Sequence, residues 1–101
     1  MAIEIHQGDI LKVEKIMQPV LVLSKDFFNT SGEIIGCPIY QKSTLSPLHI
    51  PVSAEEMEGY VECEKLKLLD LKARGYMKVD RISVGDLINI TDAVQSIFEY
   101  I

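Results

Sequence analysis

The sequence predicts one α+β domain over residues 1–101, with a small, strongly curved sheet or barrel and one C-terminal helix. Three observations support this fold class. The length of 101 residues is typical of a single domain. Residues 8–79 hold several short apolar runs that turn residues separate, as in a sheet of short strands. From residue 87 onwards, apolar side chains recur at the spacing of an amphipathic helix.

The N-terminal part of the chain is predicted to form three strands. Ile10–Glu14 mixes β-branched and polar residues, which is typical of a half-exposed strand. Val20–Leu23 is wholly apolar and too short for a helix, so it is predicted as a central strand. Glu33–Ile39 is the third strand, and its Gly36 and Pro38 indicate a bulge or a sheet edge at that point.

Two short helical segments and one loop are predicted between the strands. Ser24 is a candidate N-cap for a helical turn that reaches Asn29. The polar stretch Gln41–Pro47 is predicted as a loop. The S-x-x-E pattern of Ser53–Glu56 is a capping box, which predicts a short helix that Gly59 ends.

Three further strands are predicted in the second half of the chain. Leu48–Val52 and Tyr76–Val79 are short and alternating, and Tyr60–Leu66 is the longest of the three. Because successive side chains of a flat strand point to opposite faces, Glu64 and Lys65 are expected on different faces.

The C-terminal helix has the clearest pattern. Ser83–Asp86 forms a capping box with Asp in place of Glu, and Ile82 and Leu87 occupy the positions of a hydrophobic staple. The apolar positions recur at helical spacing; they are Leu87, Ile90, Val94, Ile97, Phe98 and Ile101.

Several protein classes are excluded by pattern. The longest wholly apolar run, residues 19–23, is far shorter than the roughly 20 residues of a membrane-spanning helix. Residues 1–9 lack the features of a signal peptide, so we expect a cytoplasmic protein without a membrane partner. Cys37 and Cys63 form no CxxC motif, which favours buried reduced thiols over a disulfide or metal site.

The charge is unevenly distributed. Ten basic and fifteen acidic residues give a formal net charge of −5, which is not typical of a nucleic-acid-binding domain. Residues 65–81, however, hold six basic and two acidic residues, or +4, so the rest of the chain totals −9. This segment is either a local basic face that supplies most of any RNA affinity or an ordinary solvated surface.

Several short motifs occur in the order and spacing of one known family. They are G-D-I at 8–10, P-V-L-V-L-S at 19–24 with F-N at 28–29, C-P-I at 37–39, C-E at 63–64 and L-D-L-K-A-R-G at 69–75. The last motif is the most specific, and the matching order covers about residues 8–100. With these motifs the chain resembles the MazF/PemK family of toxins, the RNA-cutting halves of bacterial toxin–antitoxin pairs.

The resemblance implies a fold, an activity and partners. The fold is an SH3-like β-barrel with a C-terminal helix, as in PemK and CcdB, and it works as a homodimer. The activity is that of an endoribonuclease that needs no metal or other cofactor, cleaves single-stranded RNA and leaves a cyclic phosphate. A cognate antitoxin protein is the implied partner.

The chain departs from the family pattern at several positions. Gln18 stands where the family has Arg, and Tyr40 stands where it has Thr or Ser. The family's D-Q pair is E-K at 64–65, and Glu62 replaces an Arg found in some members. Only residues 15–17 separate the first strand from Gln18, so the Gly-rich insertion of other members is missing.

Metal-free RNA cleavage needs a base, an acid and cations around the phosphate. Glu64 is the candidate base or acid, and burial is expected to raise its pKa. Tyr40 is a candidate proton donor or stacking platform, and Lys65 a candidate for stabilising phosphate charge. The candidate RNA-binding residues are Gln18, Lys42, Lys67, Lys72 and Arg74.

A plainer interpretation remains open. Glu64 and Lys67 can be a surface cross-strand pair, with Lys65 solvated and Tyr40 covering the barrel rim. The chain is then a degenerate toxin fold that binds a protein or nucleic acid without catalysis. No metal site is expected, because His6 and His49 have no ligand spacing to nearby acidic residues.

Overall fold

The computed structural model describes residues 4–98, which form seven strands and two helices. Along the chain these are β1 (Asp9–Val13), β2 (Val20–Val22), α1 (Asp26–Asn29), β3 (Glu33–Tyr40), β4 (His49–Ser53), β5 (Glu58–Glu62), β6 (Lys67–Asp70), β7 (Tyr76–Arg81) and α2 (Val84–Ile97). The predicted α+β class and the C-terminal helix are confirmed.

All strand pairs of the sheet are antiparallel, in the order β4-β5-β3-β2-β1-β7, and β6 pairs with β3 beside this path. Strand β3 is the longest and has three partners: β2, β6 along Glu33–Gly36, and β5 at Ile39 and Tyr40. Within residues 4–98 the two end strands, β4 and β7, do not pair with each other. The barrel is therefore open, which is a small departure from the expected closed one.

Pro38 lies where β3 changes partners. On one side it pairs with Val20 of β2, and on the other side the pairing moves from β6 at Gly36 to β5 at Ile39. On that second side Pro38 has no strand partner, so the position is a local edge, which suits a proline because it has no N–H to donate. Gly36 is needed for close approach, because an added Cβ there would lie 2.3 Å from the carbonyl oxygen of Leu21.

Strand β2 lies between β3 and β1, which confirms the predicted central strand, and it is buried on both faces. Leu21 packs into one core cluster, and Val20 and Val22 pack into the other. Cys37 and Cys63 are free, buried thiols, as expected. Burial raises the pKa of the Cys37 thiol to about 12 and that of Cys63 to about 11, so both stay protonated.

The predicted helix at Ser53–Glu56 is wrong. Strand β4 runs to Ser53, and the chain then turns tightly, with the Ala54 N–H donating to the Met57 carbonyl at 2.8 Å. The carboxylate of Asp80 accepts the N–H groups of Glu55 and Glu56, at 3.2 and 2.7 Å. In a helix, the capping box would have accepted these N–H groups. The contact with Asp80, which is distant in sequence, therefore replaces the local capping interaction.

The predicted strand at Tyr60–Leu66 is also wrong in its second half. Strand β5 ends at Glu62, residues 63–64 form a turn, and a new strand, β6, begins at Lys67. The turn is fixed by the Cys63 N–H, which donates to the carbonyl of Leu48 at 2.9 Å. Two strands therefore stand where one was predicted, and the alternation expected for Glu64 does not apply.

The helix ends differ from the predictions in detail. Lys25, not Ser24, is the N-cap of α1, because the Ser24 hydroxyl instead accepts the Ile35 N–H of β3. Ser83 caps α2 as predicted and accepts the Asp86 N–H at 3.1 Å. Helix α2 ends at Ile97, and Ile101 lies outside the described residues. No helix among residues 4–98 is long and apolar enough to cross a membrane.

Candidate functional site

Two of the short motifs that resemble the family pattern serve the fold. Asp9 of the G-D-I motif is fully buried at the start of β1, and its Oδ1 accepts Arg81 at 2.6 Å and Lys78 at 3.2 Å. Asn29 of the F-N motif is also buried and bonds to Ser24 through both its oxygen and its amide. These polar side chains tie distant segments together and do not face a cleft.

The turn at residues 63–64 builds the site. It lets Glu64 and Lys65 reach the same side of the sheet, where an open cleft of about 620 Å³ lies between β4, β5 and the β3–β4 loop. We call it the His49 cleft; its lining residues are Lys42, Ser43, Thr44, His49, Glu62, Glu64 and Lys65. It therefore combines two of the three predicted catalytic residues and one predicted RNA-binding residue.

His49, the first residue of β4, has a side chain that is only 9% exposed. Its Nδ1 lies 2.7 Å from the Thr44 carbonyl oxygen and 2.9 Å from the Ser43 hydroxyl. Its Nε2 lies 2.7 Å from Oε2 of Glu64. The ring is thus held on both sides, and the pair raises the pKa of His49 mainly through the hydrogen bond to Glu64.

The expectation that burial raises the pKa of Glu64 is wrong. The Glu64 side chain is 40% exposed, and the hydrogen bond from His49 lowers its pKa below the ordinary glutamate value. Glu64 is therefore ionised at neutral pH. This favours a role as proton acceptor over a role as proton donor.

A second ion pair lies beside the first. Glu62, 10% exposed, accepts Lys65 Nζ at 2.9 Å and the Ser43 hydroxyl at 2.7 Å. Lys65 Nζ also lies 3.3 Å from the Tyr40 hydroxyl and 4.7 Å from the centre of its ring. The hydrogen bond from Ser43, followed by that from Lys65, lowers the pKa of Glu62. Lys65 therefore joins Tyr40, the third predicted catalytic residue, to the His49 cleft.

Gln18 lies in a neighbouring cleft. This second cleft, of about 410 Å³, also contains Tyr40, which therefore stands between it and the His49 cleft. Tyr40 ends β3, whereas Lys72 packs beside Gly32, just before β3 begins. At about 3.3 Å per residue, the eight residues of β3 place Lys72 roughly 23 Å along the strand from Tyr40.

The basic segment 65–81 does not form one face. Lys65 lies in the His49 cleft, and Lys67 pairs with Gly36 on the central part of β3. Lys78 and Arg81 lie on β7 at the other end of the sheet, where both pair with Asp9. Arg74 is exposed in the turn between β6 and β7. The site thus receives Lys65 from this segment, and the predicted residues Lys67, Lys72 and Arg74 line neither cleft.

Three side chains of the His49 cleft are of metal-ligand type. Among the described residues, His49, Glu62 and Glu64 offer ligand atoms within 4.8 Å of one another. Each carboxylate already has a nitrogen partner, the Lys65 ammonium for Glu62 and the His49 ring for Glu64. A divalent cation would have to displace both partners, so we interpret the group as a charge-balanced network. The expectation of metal-independent chemistry stays a prediction.

Sequence reasoning missed His49 and Ser43. His49 and Glu64 are 15 positions apart in sequence, and their contact depends on the strand register that pairs His49 with Glu62, so the sequence alone does not reveal it. The one available signal is the alternation of residues 48–52, which places a histidine on a strand next to a polar loop.

The comparison with family models identifies the chain. Residues 7–98 match the model described as PemK-like, MazF-like toxin of type II toxin–antitoxin system. The chain belongs to this family of toxins. The resemblance of the short motifs is thereby confirmed, although a comparison with curated protein sequences finds no significant match.

Solved structures of the family share the fold. A chain of the MazE–MazF complex from Deinococcus radiodurans (form I) is 20% identical with a TM-score of 0.85, over 93% of this chain and 95% of that chain. An endoribonuclease from a mycobacterial species is 13% identical with a TM-score of 0.84, over 97% and 94%. A mycobacterial endoribonuclease in complex with its cognate antitoxin is 13% identical with a TM-score of 0.81, over 93% and 94%.

Proposed function

We propose that this toxin-family protein is a metal-independent endoribonuclease that cleaves single-stranded RNA in the cytoplasm. The observation that carries the proposal is the exposed, ionised carboxylate of Glu64 in a cleft that also holds Lys42 and Lys65. A base beside two cations is the arrangement that phosphodiester cleavage through the 2′-hydroxyl requires.

In the proposed reaction the ribose 2′-oxygen attacks the adjacent phosphorus and forms a new O–P bond. Its proton passes to Glu64, and the bond from phosphorus to the 5′-oxygen breaks. The Tyr40 hydroxyl gives its proton to that leaving oxygen, and the Lys65 ammonium, 3.3 Å away, stabilises the anion left on Tyr40. The products are a 2′,3′-cyclic phosphate and a 5′-hydroxyl, and water restores both side chains.

Cations hold the substrate in this proposal. Lys42 and Lys65 face the phosphate charge that builds up during the attack. Gln18 contributes hydrogen bonds from the neighbouring cleft, although it lacks the charge of the Arg that the family pattern has there.

A second candidate function is binding without catalysis. Gln18 and Tyr40 replace the Arg and the Thr or Ser of the family pattern, and the Lys65 charge is already paired with Glu62. These features favour a degenerate toxin fold that binds a protein or nucleic acid.

The proposed partners are a cognate antitoxin and a second copy of the chain. The antitoxin is supported by family membership and by the solved complexes with similar folds. The homodimer is supported by large apolar side chains on the surface, with Met17 84% and Phe27 78% exposed. Phe28, by contrast, is half-buried.

The central experiment compares wild type with Glu64→Gln on a single-stranded RNA in the presence of EDTA. Loss of a general base should lower the cleavage rate about 10²- to 10⁴-fold. Glu55→Gln is the matched control, because this exposed side chain lies outside both clefts. Expression of each form in bacteria should agree with the cleavage assay: wild type and Glu55→Gln should arrest growth, and Glu64→Gln should not.

Two outcomes would favour the binding module. One is equal cleavage by wild type and Glu64→Gln. The other is absence of cleavage both by wild type and by a variant that restores the family residues, Gln18→Arg with Tyr40→Thr. Arginine offers two parallel hydrogen bonds to phosphate, so the restored variant should cleave faster than wild type if the native enzyme is merely weakened.

RNA binding is tested with a matched pair of lysines. Lys65→Gln should weaken binding and lower its dependence on salt, because Lys65 lies in the His49 cleft. Lys72→Gln removes the same charge from the far end of β3 and should leave the salt dependence near that of wild type. A larger effect of Lys72→Gln would place the RNA on the β6 side of the molecule.

A further inference from the structure

The position of the His49 ring distinguishes it from an ordinary surface histidine. A carbonyl oxygen only accepts hydrogen bonds, so the Thr44 carbonyl at 2.7 Å requires that Nδ1 carries a proton. The Ser43 hydroxyl is 2.9 Å from the same nitrogen and donates its own proton to Glu62. The ring is therefore fixed in one orientation, with Nε2 directed at Glu64.

The contact between His49 and Glu64 is a hydrogen bond. Nε2 of His49 and Oε2 of Glu64 are 2.7 Å apart, which is a hydrogen-bond distance that one proton must occupy. His49 is nearly buried while Glu64 is 40% exposed, so the ring lies behind the carboxylate. Contact through Oε2 leaves the other oxygen of Glu64 for a substrate hydroxyl.

We propose that His49 is a positioning residue for Glu64, which aims the carboxylate into the cleft and keeps it ionised for proton abstraction. This inference rests on the proposed ribonuclease function. His49 does not itself touch the substrate in this arrangement; it acts through Glu64, much as an oriented partner group fixes a catalytic side chain in other enzymes.

The charges that face His49 support this role. They are Glu64 in the turn, Glu62 on β5, and the exposed Lys42 and Lys65 of the same cleft. Glu62 is already paired with Lys65 at 2.9 Å, so Glu64 has His49 as its own cationic partner. The same contact raises the pKa of His49 and lowers the pKa of Glu64, in agreement with the geometry.

A second histidine–carboxylate contact in the chain provides an internal control. His6 Nδ1 lies 2.8 Å from Oδ2 of Asp26, almost the same distance as in the His49 pair. Both side chains of that pair are more than half exposed, at 52% and 62%, and lie outside the His49 cleft. Replacement of His6 therefore removes the same kind of histidine–carboxylate contact and leaves the proposed site intact.

The first measurement needs no RNA. NMR titration of the two imidazoles in wild type should give His49 a pKa above the ordinary 6.5, and Glu64→Gln should lower it towards that value. A His49 titration that Glu64→Gln leaves unchanged would show that the pair does not form.

The second measurement is the pH profile of RNA cleavage in EDTA. In His49→Gln the acidic limb, which reports ionisation of Glu64, should move to higher pH, and kcat should fall about 10²-fold with a smaller change in KM. His6→Gln should match wild type in both respects. A His49→Gln variant with the kcat and acidic limb of wild type would overturn the positioning role.

The two measurements separate the inference from the function on which it rests. Absence of cleavage by wild type would reject the proposed function and with it the catalytic meaning of His49. The titration would then still decide whether the pair exists. If the His49→Gln variant fails to fold, the titration of the Glu64→Gln variant still tests the pair, because that variant keeps the nearly buried His49 ring.

Discussion

Asp9→Ala should destabilise the fold strongly. The Asp9 carboxylate is fully buried and accepts three donors: the His6 N–H at 2.8 Å, Arg81 at 2.6 Å and Lys78 at 3.2 Å. Removal of one member of a buried ion pair typically costs about 3–5 kcal/mol. The side chains of Arg81 and Lys78 are 51% and 50% exposed, so water can replace part of what they lose. We therefore expect a loss of about 2–4 kcal/mol, somewhat less than for an ion pair with both partners buried.

Urea unfolding followed by circular dichroism measures this loss, and thermal unfolding should show a melting temperature lower by at least about 8 °C. Asp9→Asn keeps the shape and one acceptor for the His6 N–H, so its effect should be intermediate. Asp92→Ala, on the exposed face of α2, should change stability by no more than about 0.5 kcal/mol. If Asp9→Ala changes stability as little as Asp92→Ala does, the conclusion that Asp9 stabilises the fold is wrong.

Three further results are expected. Gly36→Ala should prevent or severely weaken folding in an unfolding assay, because the new Cβ would lie 2.3 Å from the Leu21 carbonyl oxygen; wild-type stability would contradict the close approach. The loss of stability caused by Glu64→Gln should be largest between pH 4.5 and 6.5, which are the ordinary pKa values of glutamate and histidine. It should shrink as the pH falls through the lowered pKa of Glu64 or rises through the raised pKa of His49, and a pH-independent difference would contradict the pair. Sedimentation at micromolar concentration should give a dimer, which Phe27→Ser should weaken if that exposed ring lies in the interface; a clean monomer mass would reject the assembly.

The parts of the fold that were predictable are those in which local pattern and burial agree. The wholly apolar Val20–Leu23 predicted a central strand, and β2 lies between β3 and β1 with all of its residues buried. The helical spacing after Ser83 predicted α2 together with its cap. The capping box at Ser53–Glu56 failed because Asp80, a residue distant in sequence, binds the backbone groups that a helix start would leave free.

The candidate site was less predictable because its residues meet through strand register. Family resemblance selected Glu64, Lys65 and Tyr40, and the structure places Glu64 and Lys65 in the His49 cleft, with the Tyr40 hydroxyl 3.3 Å from Lys65. It did not select His49, which reaches Glu64 only because β4 and β5 pair with His49 opposite Glu62. The sign of the Glu64 pKa shift was wrong for the same reason, since a partner invisible in the sequence outweighs burial.

The placement of Glu64 in a turn has a mechanical consequence for the proposed chemistry. Strand β5, which precedes the turn, pairs with β4, and the Cys63 N–H donates to the carbonyl of Leu48, directly before His49. This hydrogen bond holds the turn next to the start of β4, so the backbone segments that carry Glu64 and His49 lie side by side. A slip of one residue between β4 and β5 would direct His49 to the opposite face of the sheet. The register of this one strand pair therefore controls both the core, through Val61 opposite Ile50, and the ionisation of Glu64.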